Sequence, residues 1–175
     1  MLSALIAAAA VSAAAAQDAP KEHLAVMEPL IGKWVYEGPA KEEIPGLVAQ
    51  GAKMEVIDEY VWSMSGKAIL HHVVLRTGGQ TAFELTSLIG WDAKREQITE
   101  GGFTSPGGTL HNDWNVSGNK IIVSNRGVEP DGTESSATNI FELTGPNAFT
   151  WKSTKRVRDG ESLPDSPQYE LKRVE

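Results

Sequence analysis

From residue 33 onward, hydrophobic and polar side chains alternate in short runs with a period of two, which is typical of β-strands. Turn-forming pairs such as Ser65-Gly66, Gly78-Gly79 and Gly145-Pro146 separate these runs. The pattern predicts ten strands, over 33–38, 53–62, 67–76, 81–91, 96–103, 109–116, 119–127, 134–144, 147–157 and 168–174.

A short helix is predicted before the first strand, because Leu24, Met27 and Leu30 recur at helical spacing and Gly32 follows them. The loops between consecutive strands are too short for crossover helices, so neighbouring strands pair antiparallel in up-and-down order. Closure of such a sheet removes both exposed edges. We therefore predict an all-β fold, a single antiparallel up-and-down β-barrel of about ten strands, with a two-sheet sandwich as the alternative.

The N-terminal residues differ in character from the rest of the chain. Residues 2–16 are apolar or small, and Ala14-Ala15-Ala16 before Gln17 has the A-x-A form of a signal-peptide cleavage site. This run is shorter than the roughly 20 residues that a transmembrane helix needs. An alanine-rich N-terminal helix is the alternative, since no Lys or Arg precedes the run.

These features predict three segments: a signal peptide at 1–16, a flexible mature N-terminus at 17–22 and the barrel domain at 23–175. We expect a periplasmic or secreted protein that does not insert into the membrane after signal cleavage.

Composition narrows the chemistry. The 175 residues suit one domain, and the net charge of −7 disfavours nucleic acid and anionic lipid as partners. No cysteine is present, which excludes disulfides, thiolate nucleophiles and iron–sulfur clusters. The glycine motifs that bind phosphates and dinucleotides are also absent, so we predict no cofactor.

The run Leu30-Ile31-Gly32-Lys33-Trp34, a short helix leading into G-x-W on the first strand, resembles the opening of lipocalin-like (calycin) barrels. The resemblance implies that Trp34 closes one end of the barrel and that an Arg packs across it, Arg173 or else Arg156. Some barrels of this class bind haem through a late His, whereas the last His here is His111.

A second resemblance covers most of residues 24–174. Through Gly90-Trp91-Asp92 and the segments 137–139 and 149–154, the chain is similar to a group of uncharacterised exported bacterial proteins. This similarity implies no particular activity.

The histidines suggest an acid–base pair. His71 and His72 are adjacent, so they point to opposite faces of a strand and cannot bind one ion together; we predict no metal site. A hairpin at Ser65-Gly66 places Glu59 opposite His72. The pair lies either in solvent on the outer wall or inside the barrel, where it could support acid–base chemistry.

Glu100 is the most suggestive polar position. A turn at Ala93-Lys94 places Ser87 opposite Glu100, on a face that also carries Trp91 and other apolar side chains. That face is the more apolar one, so we expect Glu100 inside the barrel, either bound to ligand or satisfied by Ser87 or backbone donors.

Trp91, Trp114 and Trp151 lie on three different strands and either pack in the core or line a pocket. Thr138 and Ser153 are expected as cross-strand neighbours that add hydroxyls to the Trp151 face. The predicted ligand-binding set is Trp91, Glu100, Ser87, Trp114, Thr138, Trp151, Ser153 and His72.

Three functions remain open. The first is an exported barrel that binds a small, fairly apolar molecule, which follows the fold resemblance. The second is a cofactor-free lyase or isomerase that uses Glu100 or the Glu59–His72 pair. The third is a structural or stress-related envelope protein whose barrel is filled by side chains.

Overall fold

A computed structural model of the chain describes residues 21–174. The predicted signal peptide at 1–16 lies outside the described residues. A short helix occupies residues 21–30 and includes the last two residues of the predicted N-terminal segment. No helix among the described residues is long and apolar enough to cross a membrane.

Eleven strands follow the helix, and ten of them match the predicted strands closely. The additional strand is β10, which has three residues. The bounds are β1 Gly32–Pro39, β2 Lys53–Ser63, β3 Ala68–Thr77, β4 Gln80–Asp92, β5 Gln97–Thr104, β6 Thr109–Ser117, β7 Lys120–Val128, β8 Glu134–Gly145, β9 Ala148–Arg158, β10 Glu161–Leu163 and β11 Tyr169–Arg173.

The strands form a closed antiparallel barrel. Each strand from β1 to β9 pairs with the next one along the chain, and β11 completes the ring by pairing with both β9 and β1. β10 pairs antiparallel with the end of β9 alone, so it is not one of the ten strands that form the ring. The predicted barrel is confirmed, the two-sheet sandwich is wrong, and the architecture is compatible with a lipocalin-like barrel.

Trp34 closes one end of the barrel, which we call the closed end. Its side chain is fully buried, and the Arg173 guanidinium lies 4.1 Å from the centre of its ring. Arg173 also donates hydrogen bonds to the backbone carbonyls of Pro29 and Ile31, which ties the helix to β11. The resemblance-based expectation is confirmed for Arg173, whereas Arg156 instead pairs with Glu42.

The other end is covered by the long connection between β1 and β2, which we call the 40–52 loop. A bridge between Ile44 and Val48 folds this loop back on itself. Ala40 and Val48 are buried in the main hydrophobic core. The loop is therefore a packed cover over this end of the barrel.

One predicted strand register is correct, and a second is shifted by two residues. Glu59 lies opposite His72, as predicted. Glu100 lies opposite Ile89 rather than Ser87, because the connection between β4 and β5 spans residues 93–96 instead of forming a two-residue turn. A shift of two residues keeps every side chain on its predicted face.

The predicted pairing of Thr138 with Ser153 is wrong. Thr138 lies opposite Thr154, and Asn139 lies opposite Ser153. An irregularity between Leu143 and Gly145 shifts the register by one residue. A shift of one residue exchanges the two faces of a strand. Thr138 is therefore on the outer wall, and Asn139 takes the inward position.

Replacing Trp34 with Ala should lower the free energy of unfolding by about 3–5 kcal/mol, since the change removes a fully buried aromatic side chain. Denaturant unfolding measures this loss. Phe103→Ala is the control, because the Phe103 side chain is 69% exposed and its truncation should cost little. A loss below about 1 kcal/mol for Trp34→Ala would show that Trp34 does not support the closed end.

Candidate functional site

A cavity of about 290 Å³ lies inside the barrel, on the side of the 40–52 loop. Most of its lining is aliphatic or aromatic, including Val56, Val73, Leu85, Phe141 and Trp151. Polar side chains interrupt this lining where the strands pass the middle of the barrel. They are Asp58, His71, Asn112, Asn125 and Asn139.

Glu100 lies behind this polar group and organises it. The residue is 1% exposed, and its carboxylate accepts hydrogen bonds from four side chains. His71 Nδ1 donates to Oε1 at 2.6 Å and Ser87 Oγ donates to the same oxygen at 2.5 Å. Asn112 Nδ2 and Trp114 Nε1 donate to Oε2 at 2.5 Å and 2.8 Å. Four donors satisfy a buried carboxylate fully.

His71 connects Glu100 to a second carboxylate. Its Nε2 lies 2.9 Å from Asp58 Oδ1. The Tyr60 ring stacks on the imidazole with 4.4 Å between ring centres, and the Tyr60 hydroxyl donates to Asp58 Oδ2 at 3.2 Å. We call Asp58, His71 and Glu100 the buried ion cluster, because three charged side chains lie in a row inside the barrel.

The two carboxylates keep His71 protonated. Burial alone lowers the pKa of an imidazole, but here the charges of Glu100 and Asp58 outweigh burial and raise the pKa of His71 to about 10. Burial raises the pKa of Glu100, and the His71 charge with its hydrogen bonds reverses this and lowers it to about 2. Burial and the neighbouring carboxylates also raise the pKa of Tyr60.

A glycine makes the Ser87 contact possible. Gly102 lies opposite Ser87, and a Cβ at Gly102 would come within 2.4 Å of both the Ser87 Cβ and the Thr86 carbonyl oxygen. No side chain fits in that space. Gly102 therefore lets β4 and β5 approach closely where Ser87 reaches Glu100.

A chain of amides extends from Glu100 toward the cavity. Asn112 must direct its NH₂ group at Glu100, which leaves its carbonyl oxygen to accept a hydrogen bond from Asn125 Nδ2 at 2.6 Å. The carboxylate thereby fixes the orientation of two side-chain amides that line the cavity.

Of the eight predicted ligand-binding residues, two line the cavity, three are buried without lining it, and three lie elsewhere. Trp114 and Trp151 line the cavity. Glu100 is inside the barrel, as expected, but it and Ser87 lie behind the lining and do not contribute to it. Ser153 is buried, and its backbone N–H donates to Ser166 Oγ, away from the cavity lining.

The other predicted ligand-binding residues lie elsewhere. Thr138 is on the outer wall, as described above. Trp91 lies at the closed end, where its ring stacks on His23 with 3.8 Å between ring centres. These placements do not support a direct role for either residue at the cavity.

His72 also lies on the outer wall, opposite Glu59 and Thr86, so the placement of the Glu59–His72 pair inside the barrel is wrong. The reason is an irregularity in the β3–β4 pairing between Leu75 and Arg76. A regular hairpin at Gly78-Gly79 would turn His72 toward the face of Leu85. The irregularity shifts the register by one residue and places His71 opposite Ser87 instead.

The sequence prediction missed Asp58, Tyr60, His71 and the three asparagines that line the cavity. One signal could have found the first two. Once Glu59 is assigned to the outer wall, its neighbours Asp58 and Tyr60 must point inward, because side chains alternate along a strand.

Comparison of the chain with protein-family models finds no model that matches it, and a search of curated proteins finds no matching sequence. Within residues 21–174, no group of three or more His, Asp or Glu side chains is arranged to hold a metal ion.

Replacing Glu100 with Gln should destabilise the protein by about 3–5 kcal/mol. The substitution leaves His71 with one carboxylate partner and turns an NH₂ group toward side chains that are themselves donors. Denaturant unfolding measures the loss. Glu59→Gln on the outer wall is the matched control and should change stability by less than about 0.5 kcal/mol. Equal, small losses in both variants would contradict the structural role of Glu100.

The buried ion cluster also predicts a pH dependence of stability. The pKa of His71 is raised from 6.5 to about 10, so its contribution is complete below pH 6.5 and is lost as pH rises toward 10. The pKa of Glu100 is lowered from 4.5 to about 2, so its contribution is complete above pH 4.5 and is lost as pH falls toward 2. Both contributions are complete between pH 4.5 and 6.5.

Between pH 7 and 9, therefore, unfolding free energy should fall by up to about 1.4 kcal/mol per pH unit. His71→Gln should flatten this slope, whereas His72→Gln should retain it. An NMR titration of the wild-type imidazoles gives an independent measurement. A His71 ring that titrates near its ordinary pKa would contradict the arrangement.

Proposed function

We propose that this protein is an exported barrel that binds a small, fairly apolar molecule inside its cavity. The observation that carries the proposal is the combination of a largely apolar wall with a few oriented polar groups in one cavity. Binding sites for small molecules have this composition, and their volumes begin at about 300 Å³. The cavity volume of about 290 Å³ would suit a single small ligand.

Two sequence features support the export part of the proposal. The apolar run at 2–16 ends in an A-x-A cleavage pattern. The similarity to exported bacterial proteins, through Gly90-Trp91-Asp92 and the segments 137–139 and 149–154, points in the same direction. We propose a periplasmic or secreted location on these grounds.

The buried ion cluster favours one second candidate function, that of a cofactor-free lyase or isomerase. Its general base would be Asp58, because Asp58 lines the cavity while all four acceptor positions of Glu100 are filled. Both ring nitrogens of His71 face carboxylates, so His71 would position Asp58 rather than exchange protons with a substrate. A bound ligand that is turned over by wild type but not by Asp58→Asn would favour this candidate.

A ligand-free structural role is the weaker hypothesis, since it expects an interior filled by side chains. Native mass spectrometry of the protein purified from its own periplasm tests it directly. A retained small molecule would support the binding role, and repeated recovery of the ligand-free mass would support the structural one.

Filling the cavity should abolish binding of a neutral apolar probe. Leu85 lines the cavity, so Leu85→Trp places a large ring in the space that a ligand would use. Leu88→Trp is the matched control, because Leu88 lies on the same strand and is 40% exposed. N-phenylnaphthylamine fluorescence measures binding, and a thermal melt checks that both variants fold. Equal probe binding by both variants would contradict the assignment of the cavity as the binding site.

A further inference from the structure

We infer that the ligand of this cavity carries a protonated amine at its polar end, bound at Asp58, with an apolar body along the aromatic wall. This inference rests on the proposed binding function and specifies the class of molecule that the site selects. It follows from which hydrogen-bonding groups remain free at the polar side of the cavity and from the charge that they carry.

The hydrogen-bond donors nearest Asp58 are already used. Both ring nitrogens of His71 lie within hydrogen-bond distance of carboxylates, and the Tyr60 hydroxyl donates to Asp58. Trp114 Nε1 and the Asn112 amide donate to Glu100. A ligand that needs to accept a hydrogen bond at this position would therefore find these donors occupied.

Acceptor capacity remains at the same place. The Asp58 carboxylate accepts one hydrogen bond at each oxygen, from His71 and from Tyr60. A carboxylate has about four acceptor positions, so roughly two are left on Asp58. Because Asp58 lines the cavity, a donor on the ligand can use them.

The charges add the second argument. His71 is within hydrogen-bond distance of a carboxylate at both ring nitrogens, and an imidazole that donates from both nitrogens carries a positive charge. Two carboxylates and one imidazolium leave a net charge of −1. Glu42 also lines the cavity, but Arg156 lies 2.9 Å from its carboxylate. The uncompensated negative charge is therefore at the polar side, next to Asp58.

A protonated amine matches both requirements, since it is a donor of up to three hydrogen bonds and carries one positive charge. The aromatic residues Tyr36, Trp114 and Trp151 in the cavity lining provide the wall for the apolar body of such a ligand. A carboxylate ligand would meet an already negative site next to Asp58, where the nearest donors are engaged.

Three ligands of matched shape test the inference: phenethylamine, phenethyl alcohol and phenylacetate. Each is titrated against wild-type protein loaded with N-phenylnaphthylamine, and displacement of the probe gives the affinity. We expect phenethylamine to bind at least about tenfold more tightly than phenethyl alcohol, and phenylacetate to bind most weakly. Asp58→Asn should remove most of the amine preference and change the affinity for the alcohol by less than about threefold. Glu59→Gln, its neighbour on the outer wall, should leave all three affinities unchanged.

The outcomes separate the inference from the proposed function. If the probe binds but the alcohol or the acid matches the amine, the ligand class is wrong while the binding role stands. If Asp58→Asn weakens all three ligands equally, Asp58 does not recognise the amine and the inference is overturned. If the probe fails to bind wild type at all, the proposed binding function fails and the inference fails with it. The wild-type ranking does not require the variant, so it decides the matter even if Asp58→Asn does not fold.

Discussion

The arrangement of the barrel interior depends on the burial of the Glu100 carboxylate. A charge removed from water must be compensated by charges and hydrogen bonds, or the group would not remain ionised. The partners come from three strands besides its own: His71 on β3, Ser87 on β4, and Asn112 with Trp114 on β6. A one-residue slip of any of these strands would turn its donor to the outer wall. Satisfying one carboxylate thus fixes the relative register of β3 to β6.

Within this network, the carboxylate that supports the structure is not the one that is available to a ligand. Glu100 is fully satisfied, so it has no free acceptor for a ligand, and its effect reaches the cavity through His71 and Asn112. Asp58 is the carboxylate that retains free acceptor positions and lines the cavity. Glu100, the most buried of the three charged residues, therefore orients the site, and Asp58, at the other end of the row, faces the space in which a ligand would bind.

The sequence predicts the wall of the barrel well because each hairpin is local. Alternation and turn residues are sufficient for ten strands, and Trp34 with Arg173 could be placed from the G-x-W resemblance and from one late strand. Errors arise where the register changes by one residue, between Leu75 and Arg76 and between Leu143 and Gly145. Such irregularities depend on packing between strands and leave no periodic signal. They exchange His72 for His71 and Thr138 for Asn139, so the composition of the site could not be predicted although its enclosing fold could.

The contact between Arg173 and the helix has a consequence for the order in which the wall can form. Pairs from β1–β2 through β8–β9 join neighbouring segments of the chain, whereas Arg173 and Ile31 are 142 residues apart. Only Trp34 with Arg173 and Val35 with Lys172 pair directly along the β1–β11 seam. Loop-closure entropy makes such long-range pairing late and slow. The chain can therefore assemble as an open, curved sheet first. The interior becomes an enclosed space only when this short seam joins the first strand to the last.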